Sequence, residues 1–220
     1  MTQSIKKSRI VVLISGNGSN LQAIMDAVAS GRINSSIGLV VSNRSTAFGL
    51  TRASSAGIPI KVLTLKSFKD QGKARHDYDR ALASLVLDFM IDPGSGKPQI
   101  DLVVLAGFMH ILSPEFLNSF DHKTSPSLPK SIPIINLHPA LPKAFDGANA
   151  IGRAFDSFQK REITKTGVMV HRVIAEVDRG DVVLVRDVAI LPGDSLKDLE
   201  DRIHAIEHVV LVEAVQILLP

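Results

Sequence analysis

The sequence predicts an α/β protein: a mostly parallel sheet flanked by helices, with an antiparallel strand pair and a long terminal helix in its last third. Two observations predict this fold. Over residues 1–148, unbroken apolar runs alternate with segments of helical spacing, as expected when parallel strands are buried on both faces. After residue 148, two apolar runs flank a turn that contains Gly180, and a long segment of helical spacing follows them.

Five strands and four helices are predicted in the first part of the chain. The strands are Ile10–Ile14, Ile37–Ser42, Ile60–Thr64, Asp101–Ala106 and Ile132–Leu137. The helices are Leu21–Ala29, Phe48–Ala56, Lys73–Met90 and Pro114–Phe120. Two stretches rich in Pro, Gly, Ser and Lys, residues 92–99 and 121–131, are predicted as loops inserted into this scaffold. Ligands of such sheets bind beyond the carboxyl ends of the strands.

The second part of the chain is predicted to hold a helix, a strand pair and a final helix. The helix lies near Asn149–Lys160, and the strand-like runs are Thr166–Glu176 and Val182–Leu191, with a turn at Val177–Asp181 between them. The final helix begins after Pro192-Gly193, with Asp194 or Ser195 as N-cap and Asp198 placed to complete a capping box. We interpret residues 1–220 as a single domain.

The composition excludes several classes of protein. The chain has 220 residues, of which 45% are hydrophobic, which is enough for a substantial core. The absence of cysteine excludes disulfides, thiolate nucleophiles and cysteine-based zinc sites, and it fits a reducing compartment. The N-terminal residues lead straight into the first strand, and no run of about 18 apolar residues occurs. We therefore expect a cytoplasmic protein with no signal peptide and no membrane span.

The charge pattern argues against nucleic acid as a partner. The formal net charge is +3, the basic residues are scattered, and aromatic residues make up 5% of the chain. A nucleic-acid surface typically shows clustered basic residues or aromatic rings on which bases stack. Small anionic ligands fit this mild positive charge better.

The turn after the first strand, Ser15-Gly16-Asn17-Gly18-Ser19-Asn20, has two interpretations. It is either a sharp strand-to-helix connection that needs glycine, or an anion site. In the second case Gly16 and Gly18 let a ligand approach the backbone, and Ser19 or Asn20 caps the helix whose free N–H groups attract a phosphate. The dinucleotide fingerprint fails because Leu21 replaces its third glycine, and no phosphate-loop Gly-Lys-Ser/Thr follows.

Two residues at the end of the last predicted parallel strand, Asn136 and His138, are candidates for carbonyl chemistry. They lie two positions apart in a strand, so their side chains point to the same face. An amide can donate a hydrogen bond to a developing oxyanion while an imidazole handles a proton. The alternative is that both side chains bond only to the backbone of their loop.

Asp178, in the predicted turn Val177–Asp181, has the same two kinds of interpretation. A turn aspartate usually bonds backbone N–H groups. Functionally, it could face His138 and raise the pKa of the imidazole by stabilising its charged form. The spacing along the chain does not establish such a contact.

Six other histidines show no spacing typical of metal ligands: His76, His110, His122, His171, His204 and His208. His204 and His208 are one helical turn apart and could share a face, but a two-histidine metal site needs further ligands. We therefore predict no metal site.

Four separated blocks of sequence resemble the phosphoribosylglycinamide formyltransferases: VVLISGNGSNLQAI, VVLAGFMHILSPEF, INLHPALP and EVDRGDVVLV. They occur in the family's order, and the resemblance runs from Ile10 to the end of the chain. The stretch NLHPALPKAFDG is similar to the fungal, monofunctional version of the family. The resemblance implies a Rossmann-like formyltransferase fold.

The resemblance also implies an activity. The enzyme would move the formyl group of 10-formyltetrahydrofolate to the amine of glycinamide ribonucleotide through a tetrahedral intermediate, in de novo purine biosynthesis. Residues 1–148 would form the nucleotide-binding half, and residues 149–220 would complete the folate site. The implied partners are these two small molecules, without nucleic acid, membrane or metal, and the implied state is a monomer or weak homodimer.

The site residues implied by the resemblance fall into three groups. The catalytic trio would be Asn136, His138 and Asp178, with Asp178 keeping His138 charged or orienting a water molecule. The ribonucleotide would contact Gly18, Ser19 and Asn20 through its phosphate, and also His204, Ala205, Ile206 and Glu207. The folate would contact Arg75, Met109, His110, Ile111, Leu112, Asn136, Ile174, Ala175, Glu176, Val177 and Asp178.

The sequence departs from the family's pattern at three places, and alternatives remain. His110 stands where many relatives have Arg, Met169 stands where bacterial relatives have a small hydroxyl residue, and the proline of ALPKAFDG is shifted. Formyltetrahydrofolate deformylases and methionyl-tRNA formyltransferases share the Asn, His and Asp positions, but they should carry a further domain. A non-catalytic nucleotide-binding protein on the same fold is the other alternative.

Overall fold

The computed structural model describes residues 7–219, which form two compact units. Of the described residues, 7–134 and Leu219 belong to the first unit, and Ile135–Leu218 belong to the second.

The first unit is built on a parallel sheet. Its strands are β1 (Ser8–Ile14), β2 (Ser35–Ser42), β3 (Ile60–Val62) and β4 (Leu102–Leu105), in the spatial order β3-β2-β1-β4. Its helices are α1 (Ser19–Ala29), α2 (Phe48–Ser55), α3 (Leu65–Asp70), α4 (Arg75–Phe89) and α5 (Pro114–Ser119). The central strand β1 pairs with β2 and β4, and its residues Ile10–Ile14 are fully buried. The unbroken apolar run in the sequence is therefore a strand covered on both faces.

The second unit is built on antiparallel strands and a long helix. Strand β5 (Ile134–His138) pairs with β6 (Lys165–Arg172), which pairs in turn with β7 (Val182–Ala189). Its helices are α6 (Ala150–Gln159) and α7 (Leu196–Leu218). The parallel strands of the first unit, the antiparallel β6–β7 pair and the long α7 confirm the predicted fold class.

Several element boundaries differ from the prediction, and the ends of β3 and β6 and one additional helix have a physical explanation. Strand β3 ends at Val62, because the hydroxyl of Thr64 accepts a hydrogen bond from the N–H of Ser67 (3.3 Å) and caps the short helix α3, which was not predicted. Strand β6 ends at Arg172, four residues early. Gly180 packs closely against Arg172: a Cβ atom at position 180 would lie 1.8 Å from the Arg172 carbonyl oxygen. The chain between β6 and β7 therefore turns tightly after Arg172 instead of extending the strand.

The two predicted loops contain turns. In residues 92–99, Asp92 accepts hydrogen bonds from the N–H and hydroxyl of Ser95, and an isolated bridge joins Ile91 to Pro98. In residues 121–131, the Asp121 carboxylate accepts a hydrogen bond from the hydroxyl of Ser131 (2.7 Å). No helix among residues 7–219 combines the length and apolar character that crossing a bilayer requires.

The predicted capping box at the start of α7 is present. The Asp198 carboxylate accepts from the Ser195 N–H (2.9 Å), and the Ser195 hydroxyl accepts from the Asp198 N–H (3.2 Å). Replacing Ser195 by Ala is expected to lower the free energy of unfolding by about 1 kcal/mol, because an N-cap side chain contributes about that much. Urea unfolding measures the change. Ser54→Ala, at an exposed position in α2, is the matched control, and an equal effect of both variants would contradict the capping role.

Candidate functional site

Strand β5 carries Asn136 and His138 to its carboxyl end. Side chains alternate along a strand, so both point to one face, as expected. Across the antiparallel ladder, Asn136 lies opposite His171 and His138 lies opposite Met169 on β6. The His138 side chain is 5% exposed and Met169 is 1% exposed. The apolar residue at 169 therefore lies directly beside the candidate proton carrier.

Asp178 lies against both of these side chains. Its Oδ1 accepts a hydrogen bond from Nδ2 of Asn136 (3.2 Å), and its Oδ2 lies 3.4 Å from Nδ1 of His138. Oδ2 also accepts from the N–H of Gly147 (2.8 Å). The Asp178 side chain is 8% exposed, so the structure brings the three predicted catalytic residues together in one buried polar cluster.

Sequence reasoning missed a fourth member of this cluster, His171. Its Nε2 lies 3.3 Å from Oδ1 of Asp178 and 3.3 Å from Nδ2 of Asn136, and its Nδ1 lies 2.9 Å from the Arg172 carbonyl oxygen. The ring bridges the β6 backbone to the carboxylate and holds Asp178 in place. The available signal was strand alternation, which puts His171 and Met169 on one face of β6.

The segment 145–147, just before α6, also holds Asp178, because the Gly147 N–H donates to its carboxylate. This segment is itself held by two arginines. The Arg153 guanidinium on α6 donates to the carbonyl oxygens of Phe145 (2.5 Å) and Asp146 (2.6 Å). The Asp146 carboxylate in turn accepts from Nε of Arg179 (2.6 Å). Asp178 itself has φ 54°, a left-handed conformation that is uncommon for a residue with a side chain. The surrounding hydrogen bonds maintain this conformation at the site.

The pKa values of Asp178 and His138 move in the same direction. Burial alone would raise the pKa of Asp178, but hydrogen bonds from His171 and Gly147 and the nearby His138 ring lower it to about 2. Burial lowers the pKa of His138 below its ordinary value, and this effect outweighs the opposite effect of the Asp178 charge. Asp178 raises the pKa of His138, as expected, but burial of the ring lowers it by more, so the net shift is downward.

The free end of His138 is arranged for proton transfer. Its Nδ1 faces Asp178, whereas its Nε2 is buried and has no hydrogen-bond partner within residues 7–219. With the pKa of His138 lowered, the ring is mainly neutral near pH 7, and Nε2 then offers a lone pair while Nδ1–H points to the carboxylate. This arrangement can accept a proton at Nε2 and return it.

Helix α1 follows the glycine turn of the first unit and starts two residues earlier than expected, at Ser19 rather than Leu21. Gly18, with φ 76°, is the N-cap, and no side chain caps the helix; the expectation that Ser19 or Asn20 does so is wrong. The left-handed conformation of Gly18 lets the chain enter the helix directly, and its carbonyl accepts from Gln22 N–H (2.9 Å). The preceding Asn17 is held by Arg52 on α2, which donates to its carbonyl and its side chain, both at 3.0 Å.

Gly18 also lies against the backbone of α2, which predicts the effect of a substitution. A Cβ at Gly18 would lie 2.6 Å from the Cα of Gly49, so Gly18→Ala must displace the turn. If the turn binds a phosphate, KM for the phosphorylated substrate should rise by about tenfold or more, a loss of about 1.4 kcal/mol. Steady-state kinetics in each substrate measures this.

The matched control for this change is Gly31→Ala. Gly31 has the same φ, 76°, but an added Cβ there would meet no atom within 4 Å. We expect the Gly31 variant to lose some stability through its left-handed backbone and to keep the wild-type KM. Equal KM values for both variants would contradict a ligand-binding role of the turn.

The remaining predicted binding residues lie in both units. In the first unit, Arg75 begins α4 and donates to the Ile111 carbonyl, and Met109–Leu112 follows β4. In the second unit, residues 174–178 follow β6, and residues 204–207 lie within α7, where Glu207 is 7% exposed. The binding roles of these residues stay predictions. Within residues 7–219, no group of three or more His, Cys, Asp or Glu side chains is arranged so that it could hold a metal ion.

Comparison with known proteins identifies the family. A family model described as formyl transferase matches residues 8–215. The phosphoribosylglycinamide formyltransferase of Schizosaccharomyces pombe is 48% identical over 94% of both chains, and that of Dictyostelium discoideum is 45% identical over 95% of this chain and 97% of its own. The crystal structure of glycinamide ribonucleotide transformylase 1 from Geobacillus kaustophilus aligns with TM-score 0.81 and 31% identity, over 98% of this chain and all of that one.

These matches cover nearly the whole chain and confirm the resemblance that the four sequence blocks indicate. The chain belongs to the formyl transferase family.

Proposed function

We propose that this protein transfers the formyl group of 10-formyltetrahydrofolate to the amine of glycinamide ribonucleotide. Formyl transfer to this acceptor is supported by its relatives, which are named phosphoribosylglycinamide formyltransferase. The products are formylglycinamide ribonucleotide and tetrahydrofolate, and the reaction belongs to purine biosynthesis. The observation that carries the proposal is the buried cluster of Asn136, His138 and Asp178, which unites a proton carrier, a hydrogen-bond donor and a fixed negative charge. Membership of the formyl transferase family implies the formyl-folate co-substrate.

The binding sites in the proposal follow the predicted residues. The ribonucleotide phosphate binds the turn Gly18–Asn20, where the left-handed Gly18 and the α1 N-terminus offer backbone N–H groups. Residues 204–207 contact the rest of the ribonucleotide. The formyl-folate contacts Arg75, Met109–Leu112 and residues 174–178.

The first chemical step is attack of the substrate amine on the formyl carbon. The nitrogen lone pair forms the new N–C bond, and the carbonyl electrons move to oxygen, which gives a tetrahedral oxyanion. The attacking nitrogen then carries a surplus proton, which passes to Nε2 of His138. A neutral His138 suits this role, and its lowered pKa keeps it neutral near pH 7.

Collapse of the intermediate reverses the charge movement. The oxyanion electrons re-form the carbonyl, the bond to N10 of the folate breaks, and His138 Nε2 returns its proton to N10. Between the two steps His138 is charged, and the Asp178 carboxylate 3.4 Å from Nδ1 stabilises that charge. Asp178 thus contributes to catalysis by stabilising the charged form of His138 between the two steps.

Asn136 stabilises the oxyanion in this proposal. One N–H of its amide is donated to Asp178 at 3.2 Å, and Nδ2 lies 3.3 Å from His171 Nε2. Both distances are at the long end of the hydrogen-bond range, so these contacts are weak, and little free energy is lost when one N–H turns to the formyl oxygen. These side chains supply both the proton transfer and the charge stabilisation, so the proposal invokes no metal.

We further propose that residues 1–220 act as one domain, with the nucleotide-binding half at 1–148 and the folate site completed by 149–220. A monomer or weak homodimer in the cytoplasm is proposed from the sequence. Sedimentation velocity over a range of concentrations tests the oligomeric state, and subcellular fractionation tests the location.

The proposed reaction is tested in two cuvettes. Both contain the protein and 10-formyl-5,8-dideazafolate, and only one contains glycinamide ribonucleotide. We expect the absorbance change of deformylation only where the ribonucleotide is present. An equal rate in both cuvettes would indicate a hydrolase, and no change in either, with folded protein, would indicate a different acceptor or a binding protein.

A further inference from the structure

The segment after β4 is fixed to its surroundings more firmly than an irregular loop requires. The N–H of Met109 donates to the hydroxyl of Ser15 (2.7 Å), and the Ser15 N–H donates to the Gly107 carbonyl (3.1 Å). At its far end, the N–H of Ser113 donates to Oδ2 of Asp79 (3.1 Å). Residues 107–113, which include four of the predicted folate contacts, are thus held at both ends within the first unit.

The central anchor of this segment is a buried hydrogen bond between His110 and Asp79. Nε2 of His110 lies 2.6 Å from Oδ1 of Asp79, a residue of α4. The His110 side chain is 5% exposed and the Asp79 side chain is 0% exposed. The ring also packs edge-on against Tyr78 and Phe108, with centroid distances of 5.0 and 6.0 Å. The His110 ring therefore points into the protein and is held there by its hydrogen bond to Asp79.

The two neighbours of His110 point the other way. Met109 is 67% exposed and Ile111 is 52% exposed, which is unusual for large apolar side chains in the same short segment. Inward anchoring of His110 thus presents two apolar side chains and the intervening backbone to a ligand. Burial alone would raise the pKa of Asp79, but hydrogen bonds from His110 and Ser113 lower it below its ordinary value, so the carboxylate stays charged.

We propose that Asp79 and His110 are positioning residues for the formyl-folate: the buried pair holds Met109–Leu112 in its binding conformation without touching the reacting atoms. The inference rests on the proposed function, because it assumes that this segment contacts the folate. It also accounts for the departure at position 110. Either histidine or arginine at this position can donate a hydrogen bond to the Asp79 carboxylate.

Four variants are first compared with the wild type by steady-state kinetics. Asp79→Asn removes the carboxylate charge that His110 bonds to, and His110→Ala removes the ring, and in both variants we expect KM for the formyl-folate to rise by about tenfold, equivalent to about 1.4 kcal/mol. We expect kcat and KM for the ribonucleotide to stay close to wild type. His110→Arg should restore most of the folate affinity. In the double variant Asp79→Asn/His110→Ala, the increase should be well below the product of the two single effects, because the pair acts as a unit.

A loss of stability alone must be separated from a loss of positioning. Val86→Ala removes buried volume from the same helix, two turns beyond Asp79, and should lower Tm without changing KM for the folate. Equal KM values for wild type and both single variants, with folded protein, would overturn the proposal. An increase in KM with Val86→Ala as large as with Asp79→Asn would also overturn it.

Binding measured directly separates this inference from the proposed function. Titration calorimetry with 10-formyl-5,8-dideazafolate alone should give a Kd that rises about tenfold in Asp79→Asn. If the wild type binds this folate and the variants bind it equally well, the positioning proposal fails and the proposed function stands. If the wild type neither binds the folate nor transfers its formyl group, the proposed function fails and the inference fails with it.

Discussion

Replacing His138 by Asn is expected to lower kcat by about 10³-fold, since a positioned acid–base group typically contributes about 10²–10⁴-fold. The reason is the position of the His138 ring, whose Nδ1 faces Asp178 and whose Nε2 has no hydrogen-bond partner within residues 7–219. Nε2 of His138 is the buried atom that can take the proton from the attacking amine and return it to the leaving nitrogen. KM for either substrate should change much less than kcat. Single-turnover kinetics at saturating substrates measures the chemical step itself.

The control for this variant is the same substitution at His122, which lies in the loop 121–131 and bonds the Leu128 carbonyl through its ring. His122→Asn should retain wild-type turnover. If His138→Asn keeps more than about a tenth of wild-type kcat, far above what acid–base catalysis predicts, His138 does not carry the protons. In that case the buried cluster has only a structural role.

Asp178→Asn is expected to lower kcat by about 10²-fold, because His138 loses the negative charge that stabilises its protonated state during the reaction. The pH profile should also change. In the resting enzyme His138 must be neutral to accept a proton, so kcat/KM rises as pH increases through the pKa of His138. The Asp178 charge raises that pKa, so its removal should move this part of the profile to lower pH.

Asp181→Asn is the matched control, since Asp181 lies in the same turn with an exposed side chain. Its rate and pH profile should be those of the wild type. A profile of Asp178→Asn that moves to higher pH would contradict the assigned role of the carboxylate. The double variant Asp178→Asn/His138→Asn should have a kcat only slightly below that of His138→Asn, because the two residues act as one unit.

The sequence is sufficient to predict the fold wherever local pattern and burial agree. The apolar run Ile10–Ile14 and the capping residues Ser195 and Asp198 are examples, because each depends on residues close together in the chain. The sequence does not predict the short helix α3, because six residues are too few to show the helical spacing of apolar residues. The N-cap at Gly18 was missed because a left-handed backbone can replace a capping side chain.

The site was predictable only in part, for a related reason. Strand alternation places Asn136 and His138 together, but the approach of Asp178 depends on a turn whose position is set by tertiary contacts. The position of His171 depends on the register that places it opposite Asn136. The sign of the His138 pKa shift could not be predicted, because it is a balance between burial and a charge 3.4 Å away.

The most direct test of the proposed function follows the formyl carbon itself. The protein is incubated with glycinamide ribonucleotide and 10-formyltetrahydrofolate labelled with carbon-13 in the formyl group, and the products are examined by NMR and mass spectrometry. We predict that the label appears in the formamide of formylglycinamide ribonucleotide, in equal amount to the tetrahydrofolate released. Label recovered only as free formate, or remaining on the folate, would contradict the proposed transfer.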